Sequence, residues 1–246
     1  MLKGLWKLAW VETKVFVREP LGLVGSLVIP VVIYVLMARA VGPVPSQAPE
    51  AESPFNVAIL AALIIAVGAV LSLIAIIAIY REGGILKRLR ATPLSPVTIL
   101  AAHVVVKLGF TVASLALLVV AGRRFFPGAL DVDLVSFGAA LLLGTLSILA
   151  LGFVVASLVP TARFAQPLGA AILYPMVAIS GLFVPVERLP GVVRAVARVL
   201  PTTHAVSLMQ GVWDGVPWMA LWVHVAALLA AFAICVAISA RVFRWE

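Results

Sequence analysis

Charge is what this sequence has least of: 11% of its 246 residues are Asp, Glu, Lys or Arg, against about a quarter in a soluble domain. With 64% hydrophobic residues and a mean hydropathy of +1.20, that shortfall excludes a soluble globular domain and leaves an integral membrane protein. Cysteine is also nearly missing. Cys235 is the single one, it lies in an apolar run, and it can form no intramolecular disulfide. A pI near 10.4 would point to nucleic acid in a soluble protein. Here the cations flank apolar segments, where membrane orientation and lipid head groups account for them, so no nucleic-acid partner is expected.

Several chemical signatures are missing as well. There is no Gly-x-x-x-x-Gly-Lys-Ser/Thr loop, so the chain cannot cradle nucleotide phosphates in the P-loop manner, and no His-Glu-x-x-His for zinc. No metal site and no catalytic residues are expected. No Asp or Glu falls inside an apolar span, Glu82 and Glu187 lying at span edges, which removes most support for a proton- or ion-coupled carrier. Glu12, Glu19 and the lack of a small-residue cleavage site argue against a secretory signal. Ala178-Ile-Ser-Gly181 approaches a Gly-x-Ser-Gly nucleophile turn, with His224 on the last span, so an intramembrane serine protease is kept as the enzyme alternative, beside a stand-alone carrier. Against it, Ala178 stands where the first glycine should be, and a serine in a membrane helix more often packs than reacts.

What is present is a series of apolar runs of spanning length. They predict an all-α fold, one transmembrane domain over residues 1–246 with six transmembrane helices. The expected spans are Leu21–Ala38 with a kink at Pro30, Phe55–Tyr80, Val97–Ala121, Leu134–Val159, a fifth from Phe164 interrupted by Pro167, Pro175, Gly181 and Pro185, and Pro217–Ala240. Residues 1–19 precede them. Lys3, Lys7, Lys14 and Arg18 stack on one helical stripe and Leu2, Leu5, Trp6, Ala9 and Phe16 fill the opposite arc, which reads as an interfacial helix or as a charged tail before the first span.

Residues 81–96 form the most basic connection. Arg81, Lys87, Arg88 and Arg90 stand against one acid, Glu82, so this hairpin and both termini are expected in the cytoplasm. A short helix is predicted between the Gly83-Gly84 pair and Thr92-Pro93, with Ile85, Leu86 and Leu89 on one side. The hairpin is either an orientation anchor or, because of that apolar stripe, a dock for a soluble partner. Residues 186–215, between the fifth and sixth spans, are predicted to make outer re-entrant or amphipathic helices: Val192, Val193, Val196, Val199 and Leu200 share a face, and Pro201-Thr-Thr-His204 begins another helix ending near Asp214-Gly215.

Within the spans His103 and Lys107 lie four residues apart and share a face. Lys107 either snorkels toward the inner head groups or lines a site for an anionic head group. Gly138, Gly144 and Gly152 are expected to permit close helix packing.

The basic amphipathic start, the run Tyr80-Arg-Glu-Gly-Gly-Ile-Leu-Lys-Arg-Leu-Arg-Ala-Thr-Pro-Leu-Ser95, the run Ser180-Gly-Leu-Phe-Val-Pro-Val-Glu-Arg-Leu-Pro190 and the run Val199-Leu-Pro-Thr-Thr-His-Ala-Val206 together resemble the ABC-2 type transporter permeases, in particular their daunorubicin-resistance and nodulation-export branch. The resemblance covers essentially the whole chain. It implies a transmembrane subunit, without ATPase activity of its own, that pairs with a second copy of itself and with two separate ATPase subunits. ATP and magnesium would bind in those partners and no cofactor in this chain. It further implies a multi-pass protein of a bacterial or archaeal cell membrane exporting a hydrophobic or amphiphilic molecule such as a drug, lipid or glycolipid.

The same resemblance makes the 81–96 hairpin the ATPase-coupling element, through Arg81, Glu82, Gly84, Ile85, Leu86 and Leu89, Ile85 standing where many members carry threonine. It makes the segment with Glu187 and Pro190 the outer re-entrant element. The broken fifth segment then places Ser180, Gly181 and Phe183 at the outer end of a substrate path, with His103 and Lys107 toward the inner side.

Overall fold

The computed structural model describes residues 2–18, 23–41, 57–85, 96–125, 133–159 and 161–242. Among them every regular element is helical. The helices are α1 (Leu2–Arg18), α2 (Ile29–Val41), α3 (Val57–Glu82), α4 (Pro96–Phe125), α5 (Leu134–Leu158), α6 (Ala162–Ala178), α7 (Gly191–Ala197), α8 (Pro201–Trp213) and α9 (Trp222–Val242). Four are long and apolar enough to cross a membrane, over Ile59–Glu82, Ala101–Phe125, Leu134–Leu158 and Trp222–Arg241. These correspond to the expected second, third, fourth and sixth spans, the last beginning at Trp222 because residues 217–221 form turns.

The expected first and fifth spans are shorter. A π-helical turn at Val24–Val28 runs into α2, and the Ile29 amide donates to Val24 O five residues back. Pro30, which lacks an N–H and crowds the preceding turn, sits next to this wide turn, and such a turn is one way to absorb the clash. α6 contains Pro167 and Pro175 and continues through both, so these prolines do not interrupt the fifth segment as the sequence predicts. A proline removes one backbone bond, which a buried helix tolerates when neighbours compensate. The chain leaves the helix only at Ile179, and Gly181 turns it with φ of 92°.

α5 is the centre. It packs on α3, α8 and α9, and its buried residues run all round it, from Phe137 to Ser157. Among apolar helices in lipid, close approach and interhelical hydrogen bonds supply the attraction. Accordingly Gly144 faces Ala205 of α8, where an added Cβ would come within 2.9 Å of the alanine Cβ, and Gly152 faces Val70 of α3 at 2.7 Å. The same test at Gly138 meets Leu115 of α4 at 3.3 Å, so all three glycines serve the predicted packing. The Ser147 hydroxyl donates to Leu228 O of α9 at 2.9 Å, and Thr202 Oγ1 donates to Met176 O, joining α8 to α6.

Residues 186–215 make a 3-10 turn at Val186–Arg188 followed by α7 and α8. α7 is mostly exposed, but α8 buries Thr202, Ala205, Val206, Leu208 and Met209 against the bundle and ends at Asp214, with Gly215 at φ of 74°. The start at Pro201 and the stop at Asp214-Gly215 match the residues that predict them.

α1 lies along α4 rather than standing apart. Ala9 packs with Ala102 and Val106, and the Phe16 and Phe110 rings are 4.3 Å apart between centroids. The buried stripe is Ala9, Glu12 and Phe16, while Trp6 and Trp10, 70% and 57% exposed, border a groove beside Val105 and Gly109 of α4. Trp6 was expected on the arc opposite the cations together with Ala9 and Phe16; the helix is instead rotated so that Glu12 enters the bundle.

Candidate functional site

Glu12 is 7% exposed, and it meets three groups that the sequence spreads over two other helices. Tyr80 of α3 donates its hydroxyl to Glu12 Oε1 at 2.7 Å, and His103 Nδ1 of α4 lies 3.5 Å from Glu12 Oε2. The Tyr80 and His103 rings meet edge to face, 5.5 Å apart. Lys107, one turn beyond His103 and 6% exposed, donates to Ser72 Oγ of α3 at 2.6 Å and lies 4.1 Å above the centre of the Phe16 ring. Burial pushes the Glu12 carboxyl above its ordinary range, against the opposing pull of the Tyr80 hydroxyl and the Lys107 ammonium.

Glu12, Phe16, Ser72, His103 and Lys107 border a cavity of about 430 Å³. Glu12, Ser72, His103, Lys107 and Gln166 supply its polar wall, and Leu71, Ile76, Ile79 and Val106 its apolar one. Its volume falls in the range of sites for small molecules. The expected pair His103 and Lys107 is thus brought together and buried. Glu12 is the member that sequence reasoning missed: its spacing from Ala9 and Phe16 shows that they share a face, and only the neighbouring helix shows that this face is covered.

The base of the basic hairpin forms a second polar centre. Arg81 donates from Nη1 to Val159 O at 2.8 Å and from Nη2 to Ala156 O at 3.0 Å, taking carbonyls at the C-terminus of α5. Glu82 accepts from the Ala162 amide at 3.0 Å, at the N-terminus of α6. A cation on C-terminal carbonyls and an anion on an N-terminal amide both match the helix dipole. Adjacent residues of α3 therefore hold both ends of the connection between α5 and α6. Gly84 closes the end of α3 with φ of 66°, its amide bonding Arg81 O, a conformation that suits glycine. Ile85 follows, and Leu86 and Leu89 lie outside the described residues.

Ser180, Gly181 and Phe183 lie at the other end of α6. The Ser180 hydroxyl is buried and donates to Val177 O at 2.7 Å, while Phe183 is 46% exposed. Glu187 is exposed in the 3-10 turn, and Pro190 caps α7. His224 meets His204 of α8, their Nδ1 atoms 3.1 Å apart, and His204 Nε2 is 2.9 Å from Arg198 O. With Ser180 bonded to the last turn of α6 and His224 bonded to His204, the Ser–His arrangement of a protease does not form between these residues. Among the described residues no cluster of three or more His, Cys, Asp or Glu could hold a metal ion.

The described residues form a helical bundle in which four helices are long and apolar enough to cross a membrane, which defines the class as a multi-pass membrane protein. Comparison with known proteins agrees: the family profile for the ABC-2 type transporter matches residues 3–213, so the chain belongs to that family. It is also 29% identical over 83 residues to Nodulation protein J of Rhizobium meliloti (strain 1021), a match covering 34% of this chain. The match spans about a third, 32%, of that relative's own length.

Proposed function

We propose that this chain is the membrane-spanning subunit of an ATP-driven exporter of hydrophobic or amphiphilic molecules, two copies working with two separate ATPase subunits that bind the ATP and magnesium. The observation that carries the reading is the attachment of the hairpin base to two bundle helices. A push on the 81–96 hairpin from a soluble partner would reach α5 through Arg81 and α6 through Glu82, so the hairpin is suited to transmit motion as well as to fix orientation.

In this reading the π turn with α2 and the seventeen-residue α6 cross as first and fifth spans beside the four longer helices, giving six. A helix of that length spans about 26 Å, close to the hydrocarbon thickness. The basic hairpin and both termini face the cytoplasm. The substrate moves along an apolar seam at a two-fold interface, lined by the second and fifth segments. α6 offers an exposed face for it with Phe164, Leu168 and Tyr174. Ser180, Gly181 and Phe183 lie at its outer end and His103 and Lys107 toward the inner one.

The test is the composition of the assembly isolated in mild detergent from its own membrane. Two permease chains with two P-loop ATPase chains are expected. A single permease chain with no ATPase would contradict the reading.

A further inference from the structure

The Glu12–Lys107 cavity has a charge balance that selects its occupant. Among the described residues, the titratable groups facing it are Glu12 from α1 and His103 and Lys107 from α4, with Tyr80 of α3 bonded to Glu12; Ser72 of α3 and Gln166 of α6 are neutral. When Glu12 is ionised it offsets the charge of Lys107, and when it is protonated the two residues together carry one net positive charge. His103 adds positive charge or none. In no state do these described groups carry net negative charge, so they give a cationic head no advantage. An anionic head gains Lys107 as a charge-assisted partner, with the Ser72 hydroxyl and the Gln166 amide as further hydrogen-bonding groups.

The remaining wall is that of an amphiphile site. Leu71, Ile76, Ile79 and Val106 line it, and Ile79 and Gln166 are exposed at its edge, so an alkyl chain can pass out between helices while the head stays inside. His103 and Lys107 lie seven and eleven residues from the start of α4, roughly 10–16 Å along its axis from the hairpin end. The cavity is therefore on the hairpin side of the bundle.

We propose that this cavity is a binding site for the head group of an anionic amphiphile, with Lys107 as the ligand's counter-ion and Glu12 as the built-in anion that competes with it. Glu12 holds the place of the ligand's charge in the empty site, and an arriving anion releases Lys107 from that balance. The inference rests on the transport reading for what brings and removes the ligand, but binding itself needs neither ATP nor a partner.

Equilibrium binding of radiolabelled dodecyl phosphate to the full-length chain in dodecyl maltoside tests it. Lys107→Gln should weaken binding roughly tenfold or more, as loss of a charge-assisted hydrogen bond does, and Lys107→Arg should restore much of it. Glu12→Gln should tighten binding, an effect of opposite sign that general damage to the fold would not produce. Should Lys107→Gln not fold, Ser72→Ala, which removes a hydroxyl at the same ammonium, carries the same expectation of weaker binding. Dodecyltrimethylammonium and inorganic phosphate should displace the label poorly. Equal binding by the Lys107 or Ser72 variant, weaker binding by Glu12→Gln, or displacement by the cationic detergent would overturn the proposal. Displacement by inorganic phosphate at the concentration of dodecyl phosphate would overturn its amphiphile part. Dodecyl phosphate binding in a chain that associates with no ATPase would sink the transport reading and leave the site standing.

Discussion

The Arg81 guanidinium donates to Val159 O at 2.8 Å, tying the last turn of one buried helix to the final carbonyls of another. Its second bond, to Ala156 O, makes the contact two-pronged, which a lysine ammonium cannot reproduce in the same geometry. Together with Glu82 on Ala162 N, this joins the basic hairpin to the α5–α6 connection.

Replacing Arg81 with Ala should therefore lower the melting temperature of the detergent-solubilised chain. Hydrogen bonds from a charged group contribute roughly 1.5–3 kcal/mol, and the carbonyls left behind are part-buried. Arg81→Lys should recover only part of the loss. A melting temperature unchanged in Arg81→Ala would show that the contact is incidental.

Glu12 predicts a pH dependence. Because burial raises its carboxyl above the ordinary value, ionising Glu12 costs more in the folded chain than in the unfolded one, and the stability tied to the protonated form is fully present below pH 4.5 and lost as pH rises through the raised value. Glu12→Gln, which keeps an acceptor for Tyr80, should melt higher than the natural chain near neutral pH, and the difference should close as pH falls toward 4.5. A difference that stays constant with pH would mean that folding does not shift the carboxyl, and one that widens on acidification would mean that folding favours the ionised form.

Close packing at α5 makes Gly152 intolerant of size. A Cβ there would approach Val70 Cγ1 at 2.7 Å, so Gly152→Leu should destabilise by roughly 1–3 kcal/mol or more, as overpacking does. Gly68, where a Cβ meets nothing within 4 Å, should accept alanine with little change in melting temperature and serves as the control. Gly181 is a poor position for blocking the proposed path, since φ of 92° strains any side chain there; the exposed Phe183 is the better probe.

Several elements were legible because local chemistry marks their ends. Pro96 opens α4, Leu134 begins α5 with Asp133 capping it at Val135 N, and Asp214-Gly215 closes α8. The membrane class followed from composition alone. Other features depend on partners distant in sequence. Pro167 and Pro175 look like breaks, yet α6 continues through them because it packs on α3 and α8. Glu12 looks like a solvated acid on a basic helix until α3 and α4 supply Tyr80 and His103, 68 and 91 positions away. Arg81 was legible as part of the hairpin, but the carbonyls that it holds carry no sequence signature.

Membrane orientation has its own test. In a Cys235→Ala background, a cysteine placed at Gln47 should react with an impermeant maleimide in intact cells, and one at Thr92 should not. Both positions lie outside the described residues, so the expectation comes from the distribution of Lys and Arg. The reverse labelling would invert the proposed topology.

The most direct measurement is ATP hydrolysis by the isolated assembly in liposomes, compared between the natural chain and Leu89→Asp. A charge on the apolar side of the hairpin should be costly in a partner groove, by several kcal/mol if unpaired. The account predicts a P-loop ATPase that co-purifies with the natural chain and hydrolyses ATP, and a Leu89→Asp chain that inserts normally but loses the partner and the activity. Unchanged partner and hydrolysis with Leu89→Asp, or a natural chain that brings no ATPase at all, would contradict it.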